Sequence, residues 1–323
     1  MQEKTYLEAI SDGLREEMRR DERVFLLGED IGRYGGAFKV TKGFVDEFGS
    51  DRVIDTPLAE SGILGLCFGS ALEGMRPVAE MQFSDFVATG FNQLVNNAAK
   101  IHYRWGAAVP MVVRLPTGGG VHGGPFHSQN TEAWFFHVPG LKLVAPSTPG
   151  DAKGLIKAAI RDENPVLYYE SKYLYRREKQ RMDGDTREIE IGKGRIVREG
   201  RDLTILTYGA MVHASTEAAE KVRNEVDVEV VDLRSLLPLD MDIILRSVKK
   251  TNKVLIVHED TKTGGIGAEL SARITEEIFR WLDGPIRRIA ALDTPVPFAP
   301  NLEEYFRPNA AKIAQGVRDL WRY

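Results

Sequence analysis

The chain has 323 residues, of which 43% are hydrophobic and 28% charged, and its formal net charge is −4. This length suggests two globular domains, and the interspersed charges exclude the strongly basic surface by which proteins bind nucleic acid or anionic membranes. No run approaches the roughly 20 apolar residues of a membrane-spanning helix, and the polar start MQEKTYLEAIS matches neither a secretory signal nor a transit peptide. We therefore expect a cytoplasmic protein with neither nucleic acid nor membrane as a partner.

The first half of the chain alternates short β-rich runs with helical patterns, which indicates parallel α/β architecture. A first helix is predicted over residues 5–20, where Thr5 and Glu8 match a capping box. A second helix is predicted to begin near Glu60, and a long helix to cover residues 84–100. The strands predicted in this half are RVFLLG, RVIDT, RPVAEMQF, MVVRLP, LKLVAP and PVLYYE.

The composition changes over residues 171–190, SKYLYRREKQRMDGDTREIE, which are charged and poor in aliphatic side chains. We predict a solvent-exposed crossing between domains here. The chain is thus divided into one α/β domain at 1–185, with this linker at its end, and a second at 186–323. Strands DLTILTYG, VEVVDLR, KVLIVHED and IRRIAAL and a closing helix over residues 309–321 are predicted in the second domain, with helices on both faces of its sheet.

General nucleotide-binding signatures mostly fail. No P-loop pattern occurs, and GGIGAEL at residues 264–270 lacks the third glycine of a dinucleotide-binding loop, which favours a strand-to-helix turn. The single cysteine, Cys67, excludes an internal disulfide and a cysteine metal cluster, and its apolar neighbours predict a buried hydrophobic residue.

Two segments carry side chains suited to chemistry. In DTPLAESG, Glu60 opens an apolar helix, where it either stabilises the helix N-terminus or acts as a functional carboxylate. In GGGVHGGPFHSQN, five glycines in seven residues allow the backbone to approach a ligand closely. His127 in this loop is a candidate acid or base, with an exposed hydrogen-bonding role as the alternative and His122 as its competitor.

Six segments in one order carry a resemblance to a known family: LGED, DTPLAESG, RPVAEMQFSDF, GGGVHGGPFHSQ, LKLVAPSTPGDAKGL and IRDENPVLYYE. Together they resemble the β subunits of thiamine diphosphate-dependent 2-oxoacid dehydrogenases, the decarboxylating first component of those complexes. DLTILTYGAMVHAS and VVDLRSLLPLD resemble the C-terminal domain of the same family. The implied fold is a pyrimidine-type, thiamine diphosphate-binding α/β domain followed by a transketolase C-terminal-like α/β domain, with parallel or mixed sheets.

The resemblance implies that thiamine diphosphate is shared between two chains. An α subunit would hold magnesium and the diphosphate, and this chain would hold the aminopyrimidine ring. Glu60 would hydrogen-bond that ring and Phe86 would pack on its face, with an ordinary core position as the alternative for Phe86. Glu29, Leu58 and Gln82 match other positions near the cofactor.

His127 matches the histidine that serves this family in the reductive acylation of a lipoyl group. An imidazole with a pKa near 6.5 suits the role of general acid in that step. The resemblance also implies that the segment DTPVPFAPNLEEYF belongs to the part that docks the lipoyl-bearing acyltransferase component.

A potassium site is implied by the segment AAIRDENP. Asp162 and Asn164 match ligands in relatives, and backbone carbonyl groups near Met111, Ala159 and Ile160 would complete the site with the hard oxygen donors that this cation prefers. The alternative is a loop in which Asp162 and Asn164 are turn residues at the end of a helix.

The family's Gly-Asp-Gly … Asn signature for magnesium and diphosphate is missing from the sequence. The nearest string, MDGDTRE, lies in the charged linker. We therefore expect that the isolated chain cannot decarboxylate and needs an α subunit, with α₂β₂ as the expected assembly.

Several functions remain open. QFSDF and HSQ favour a branched-chain 2-oxoacid as substrate, while pyruvate and acetoin dehydrogenases are alternatives. Half of a split transketolase-like protein is a second reading, but the loop GGGVHGGPFHSQN lacks the basic residues that a sugar phosphate needs. A third, a catalytically dead assembly module, is disfavoured by the presence of both Glu60 and His127.

Overall fold

The structure, a computed structural model, describes residues 2–182 and 188–323. The chain divides into two compact units, the first formed by residues 1–117 and 134–191 and the second by 118–133 and 192–323. The loop of residues 118–133 therefore belongs to the second unit although first-unit segments flank it in sequence. The predicted boundary between residues 185 and 186, and most of the string MDGDTRE, lie outside the described residues.

The central sheet of the first unit is parallel, with strand order β6-β7-β5-β4-β2-β3 among the strands of this unit. Strands β2, β4, β5 and β7 are buried along their whole length, as is typical of a parallel sheet covered on both faces. A separate antiparallel pair joins β1 to β8. The strands in this part of the chain are β1 (Gln2–Thr5), β2 (Val24–Gly28), β3 (Val53–Asp55), β4 (Arg76–Glu80), β5 (Val112–Thr117), β6 (Lys142–Val144), β7 (Val166–Ser171) and β8 (Lys179–Met182).

The first predicted helix is confirmed. Thr5 caps it, and the Thr5 and Glu8 side chains each accept the other residue's backbone N–H, which completes the capping box. The helix lies close to α6, since a Cβ on Gly13 would come within 2.5 Å of Ile156. The α-helices up to residue 161 are α1 (Tyr6–Arg20), α2 (Phe44–Phe48), α3 (Glu60–Leu72), α4 (Ala99–Trp105), α5 (Glu132–Phe136) and α6 (Pro149–Arg161).

The prediction of one long helix over residues 84–100 is wrong in type. A 3₁₀-helix covers Ser84–Gly90, a π-helical stretch covers Gln93–Ala98, and only then does α4 begin. Packing against α3 explains the irregular start, because a Cβ on Gly90 would collide with Leu64. Tertiary packing therefore overrides the regular helical pattern of this segment.

The prediction of an exposed linker over residues 171–190 is also wrong for its first part. Lys172, Leu174 and Tyr175 are buried, and the Tyr175 hydroxyl donates to Glu170 Oε2 at 2.7 Å. Aromatic and aliphatic side chains within a charged string bury themselves here, and β8 then pairs with β1. The charged composition concealed a segment that is integral to the first unit.

A buried ion cluster joins three neighbouring strands of this unit. Arg114 on β5 donates from Nε and Nη2 to Glu170 on β7, at 2.6 and 2.8 Å, and from Nη1 to Glu80 on β4. All three side chains are almost fully buried. Each charge therefore depends on its partners, since a lone buried ion costs several kcal/mol.

The second unit contains a mixed sheet with strand order β14-β13-β10-β11-β9, in which β9 alone is antiparallel to its neighbour. The predicted strands of this unit are confirmed, whereas β9 lies in a charged stretch that carries no strand pattern. The strands here are β9 (Arg195–Arg198), β10 (Leu203–Thr207), β11 (Val228–Asp232), β12 (Ser235–Leu237), β13 (Val254–Thr261) and β14 (Arg287–Ala291).

The helices of this unit follow its strands in α/β order. GGIGAEL is the predicted strand-to-helix turn, with Gly264 at φ +73° and Gly265 as the N-cap of the next helix. The helices are α7 (Met211–Val222), α8 (Met241–Thr251), α9 (Ile266–Ile278), α10 (Pro300–Phe306) and α11 (Ala310–Trp321). The expectation of two α/β units with parallel or mixed sheets is thus confirmed.

Two further expectations concern single features. Cys67 is fully buried, and burial raises the pKa of its thiol, which agrees with a hydrophobic role. Within the described residues, no helix combines the length and apolar character needed to span a membrane.

Candidate functional site

Three of the predicted site residues follow the carboxyl ends of neighbouring strands in the first unit. Glu29 comes directly after β2, Glu60 comes after β3, and Gln82 comes after β4. These strands are adjacent and parallel, in the order β3-β2-β4, so their carboxyl ends share one edge of the sheet. Open α/β sheets bind their ligands at this edge.

Glu60 is the first residue of α3 and is half-buried. The N-cap residue, Ala59, makes no side-chain hydrogen bond to the helix. The Glu60 carboxylate is the acidic group of the first turn, where negative charge stabilises the helix N-terminus. The Thr89 hydroxyl lies 3.3 Å from Glu60 Oε2 and also donates to the Phe86 carbonyl at 3.0 Å. The 3₁₀-helix of residues 84–90 thus connects the predicted pyrimidine contact to the predicted aromatic position.

Glu29 is the most unusual side chain of this edge. It is only 4% exposed, and neither carboxylate oxygen has a hydrogen-bond partner among the described residues. Burial raises the pKa of Glu29, and the negative charges of Glu60 and Asp30 raise it further. A buried carboxyl left without partners costs about 1–3 kcal/mol, and a polar ligand that pairs with it would recover that cost.

The remaining cofactor-binding candidates differ in exposure. Gln82 Nε2 lies 3.4 Å from Asp30 Oδ2. Phe86 is half-buried and packs edge-on against Phe83, with ring centroids 5.6 Å apart. Leu58 is 80% exposed, an unusual position for a large aliphatic side chain.

His127 lies in the second unit, at the end of a 3₁₀ turn formed by Gly124–Phe126. It is half-buried, and its backbone N–H points to the Gly124 carbonyl at 3.4 Å. The glycines that precede it serve close packing, since a Cβ on Gly123 would approach His127 Cβ to 3.0 Å and Ser128 Oγ to 2.8 Å. A larger residue at position 123 would therefore require the Ser128 side chain to move and the His127 segment to shift slightly.

His122, the competitor of His127, is already engaged. Its Nδ1 lies 2.8 Å from Glu303 Oε2, and its backbone N–H donates to the same oxygen at 3.3 Å. The residue has φ +60°, a left-handed conformation that is costly for a side chain with a Cβ. These contacts favour a structural part for His122.

Asp162 and Asn164 of the predicted potassium site lie between α6 and β7, just beyond the end of α6, to which Ile160 belongs. Arg76 Nη1 donates to the Ile160 carbonyl at 2.9 Å and to the Asp162 carbonyl at 3.2 Å, and Lys142 Nζ lies 2.5 Å from Asp162 Oδ2. Asp162 Oδ1 accepts the Asn164 backbone N–H at 2.9 Å. Two cationic side chains therefore already satisfy these oxygens, and a potassium ion beside them would be repelled.

The Met111 carbonyl accepts the Val166 backbone N–H at 3.0 Å, as a ladder bond at the start of β7. Ala159 is a fully buried residue of α6. Across the described residues, no group of three or more histidine, cysteine, aspartate or glutamate side chains is arranged to hold a metal ion. The potassium site stays a prediction.

Sequence reasoning missed the acidic residues that hold the loop of residues 118–133 in the second unit. Glu259 on β13 accepts the Gly119 backbone N–H at 2.6 Å, and Arg307 binds both oxygens of Glu259, at 2.9 and 3.0 Å. Glu303 on α10 binds His122 as described above. No local pattern marks these residues, because they lie about 140 or more positions from the loop that they bind.

A second missed feature is a buried acid pair in the same unit. Burial raises the pKa of Glu132 to about 8, with the charge of Asp260 as the next cause, and burial likewise raises the pKa of Asp260 to about 6. The Tyr208 hydroxyl donates to Glu132 Oε1 at 2.8 Å. Because burial disfavours its charged form and the charge of Asp260 adds to this, Glu132 retains a proton near neutral pH.

Comparison with known protein families and solved structures identifies the fold group of this chain. The family described as "Transketolase, pyrimidine binding domain" matches residues 2–178, and the family described as "Transketolase, C-terminal domain" matches residues 192–313. A solved structure described as a split gene transketolase, inactive beta4 tetramer, superimposes with a TM-score of 0.81 over 98% of each chain, at 22% identity. The fold is therefore that of the transketolase group of thiamine diphosphate enzymes.

Proteins of similar sequence identify the family within this fold group. The 2-oxoisovalerate dehydrogenase subunit beta of Bacillus subtilis is 51% identical over 98% of each chain. The pyruvate dehydrogenase E1 component subunits beta of Staurastrum punctulatum and of B. subtilis are 46% and 44% identical, over 99% and 100% of this chain and 98% and 100% of theirs. The chain belongs to the family of 2-oxoacid dehydrogenase β subunits, which implies thiamine diphosphate as cofactor and an α subunit as partner.

Proposed function

We propose that this chain is the β subunit of a branched-chain 2-oxoacid dehydrogenase. With its α subunit it would catalyse the oxidative decarboxylation of branched-chain 2-oxoacids and the reductive acylation of lipoyl groups. The observation that carries the substrate choice is the 51% identity to a 2-oxoisovalerate dehydrogenase subunit, against 46% and 44% for the pyruvate relatives. The segments QFSDF and HSQ support the same choice.

Thiamine diphosphate fits the strand edge of the first unit, because Glu29 is a buried carboxyl without a partner among the described residues. When bound, the cofactor supplies the electron sink for decarboxylation. Glu60 would hydrogen-bond the aminopyrimidine ring and exchange a proton with its nitrogen. Phe86 and Leu58 would supply apolar contacts, and Glu29 and Gln82 polar ones.

The α subunit would hold magnesium and the diphosphate group, since the sequence lacks the Gly-Asp-Gly … Asn signature for that task. An α₂β₂ heterotetramer is the assembly that we propose. A cytoplasmic location and a division into domains at 1–185 and 186–323 complete this part of the proposal.

His127 would act as the general acid in acyl transfer, donating a proton to a sulfur of the lipoyl ring. The engagement of His122 by Glu303 supports this choice between the two histidines. The partner in this step would be the lipoyl-bearing acyltransferase component, docked through the C-terminal unit.

The structure gives the least support to the predicted potassium site. Its residues are Met111, Ala159, Ile160, Asp162 and Asn164. Arg76 and Lys142 bring positive charge to two of these residues, which argues against a cation there. No step of the reaction depends on this ion.

The proposed function is tested by co-purifying the chain with the protein encoded beside it and assaying several 2-oxoacids and acetoin. We expect a stable complex whose thiamine-dependent kcat/KM is higher for 2-oxoisovalerate than for pyruvate, and no turnover by the isolated chain. A higher kcat/KM for pyruvate or for acetoin would transfer the assignment to that enzyme. Robust turnover by the isolated chain would refute the need for an α subunit.

A further inference from the structure

Hydrogen bonds and close polar contacts join the loop that carries His127 to other segments of the second unit. Gly119 donates its N–H to Glu259 at 2.6 Å, His122 contacts Glu303 at 2.8 and 3.3 Å, and Glu132 accepts the Tyr208 hydroxyl at 2.8 Å. We call residues 118–133 the glycine loop. Its backbone is otherwise rich in glycine and therefore easily deformed, so these contacts determine its conformation.

Glu303 binds the loop at His122, in the turn that leads to His127. Its side chain is 1% exposed, whereas the His122 side chain is 50% exposed. One oxygen, Oε2, receives both the ring nitrogen and the backbone N–H of His122. The other, Oε1, lies where a Cβ on Gly119 would come within 2.8 Å, so the carboxylate fills the space under the loop.

The contact with Glu303 compensates a strained backbone. His122 has φ +60°, and a non-glycine residue in that region costs about 1 kcal/mol or more unless its surroundings hold it there. Two hydrogen bonds to one buried carboxylate provide that hold, and hydrogen bonds to a charged group are among the strong ones. Without Glu303 the strained residue would relax, and the loop conformation with it.

Close packing at Gly123, between His122 and His127, links the conformations of these two residues. Gly123 lies so near His127 that a Cβ on it would approach both His127 Cβ and the His127 carbonyl oxygen to 3.0 Å. Gly124, at φ +71°, lies against Phe298, to which its Cβ would come within 2.7 Å. Phe298 and Glu303 both belong to the segment around α10, so this segment supports both ends of the turn from 122 to 127.

We propose that Glu303 is a positioning residue for acyl transfer, which holds the glycine loop so that His127 presents its imidazole to the lipoyl group. The inference rests on the proposed role of His127. Glu303 touches neither substrate nor cofactor in this account and acts only through His122 and the glycine loop. Glu259, held by Arg307, provides the second support at the start of the loop.

The test uses the reconstituted α/β enzyme and measures two half-reactions of each variant. One assay follows acylation of a lipoyl domain, and the other follows decarboxylation with an artificial electron acceptor. Glu303→Ala should lower the rate of acyl transfer on the order of 10- to 100-fold, the cost of misplacing a catalytic group by about 1 Å. Decarboxylation should fall much less.

The conservative variant Glu303→Gln should restore part of the lost acyl transfer, because its amide oxygen still accepts the His122 N–H. Glu304→Ala is the matched control, since Glu304 is exposed on the same helix and should retain both activities. Equal loss of both half-reactions in Glu303→Ala, or no loss of acyl transfer, would overturn the inference.

Two further variants keep the test decisive. If Glu303→Ala does not fold, Glu303→Asp, which withdraws the carboxylate by one methylene, should transfer acyl groups more slowly than Glu303→Gln, and wild-type rates in both would overturn the inference. His127→Ala distinguishes the proposed role of His127 from the proposed role of Glu303. Acyl transfer retained in His127→Ala removes the proposed role of His127, whereas loss there with full retention in Glu303→Ala removes only the positioning role.

Discussion

Two buried glutamates, Glu29 in the first unit and Glu259 in the second, differ in their hydrogen-bond partners. In the first unit, Glu29 is 4% exposed and neither of its oxygens has a partner among the described residues. In the second unit, Glu259 is also buried, yet one oxygen accepts the Gly119 N–H and both bind Arg307. Within the part of the chain that the structure describes, Glu29 has no hydrogen-bond partner, whereas Glu259 is paired by Gly119 and Arg307.

This difference distinguishes a binding group from a supporting group. A buried carboxyl without partners lowers stability, so its presence calls for a ligand that is absent from the chain itself. A buried carboxylate with partners fixes the segment that it binds. The edge of the first sheet thus suits a cofactor, while the acids of the second unit suit the task of holding the glycine loop.

The first unit also contains paired buried carboxylates, since Arg114 binds both Glu80 and Glu170. The largest expected effect on stability comes from removing this arginine. Arg114→Leu leaves Glu80 and Glu170 buried without a countercharge. We expect it to lower the free energy of unfolding by about 3–5 kcal/mol, measured by denaturant titration. Arg104→Leu, at an exposed position of the same unit, is the control and should change little. A loss below about 1 kcal/mol for Arg114→Leu would show that the cluster is dispensable.

Glu60→Gln tests the binding group most directly through activity. It removes the proton exchange with the pyrimidine nitrogen, so decarboxylation by the α/β enzyme should fall at least about 100-fold. Glu73→Gln, at the exposed C-cap of the same helix, should leave the rate unchanged. Activity within a few fold of wild type in Glu60→Gln would revive the reading as an assembly module.

Glu29→Gln sharpens the contrast through stability. Because the pKa of Glu29 is raised in the folded state, its ionisation destabilises the fold, and this penalty grows as the pH rises through the folded pKa. The variant should therefore be more stable than wild type at pH 7 by about 1 kcal/mol, and this advantage should shrink toward pH 4. Thiamine diphosphate binding to the α/β pair should weaken. Unfolding curves measured at both pH values check the sign, and equal stability at pH 7 would contradict it.

The smallest expected effect concerns potassium. If Arg76 and Lys142 satisfy the oxygens around Asp162, replacing sodium chloride by potassium chloride should shift Tm by less than about 1 °C, the equivalent of well under 1 kcal/mol. Arg76→Met removes one of these cations and should make Tm sensitive to potassium. A clear rise of the wild-type Tm in potassium would instead establish the cation site.

Local patterns in the sequence predicted the features that local physics controls. The capping box at Thr5 and Glu8, the strands of both units and the turn at Gly264 all depend on neighbouring residues. Packing decided the features that were missed. The 3₁₀-helix of residues 84–90 forms where Gly90 packs on α3, and Tyr175 is buried despite its charged neighbours.

The residues of the candidate site could be predicted from the sequence, but their contacts with distant residues could not. Glu60 and His127 stand in motifs that a family resemblance identifies, and Glu29 is placed by the end of its strand. The lack of a partner for Glu29 among the described residues and the contact of Glu303 with His122 are not visible in the sequence. Each depends on which residues, distant in sequence, surround a buried oxygen.

A structure of the α/β enzyme with thiamine diphosphate bound would show whether Glu60 meets the pyrimidine ring. We expect a Glu60 carboxylate oxygen within about 2.6–3.2 Å of the pyrimidine nitrogen, with Glu29 facing the same ligand. A cofactor bound elsewhere, with the Glu60 side chain turned toward solvent, would contradict the account.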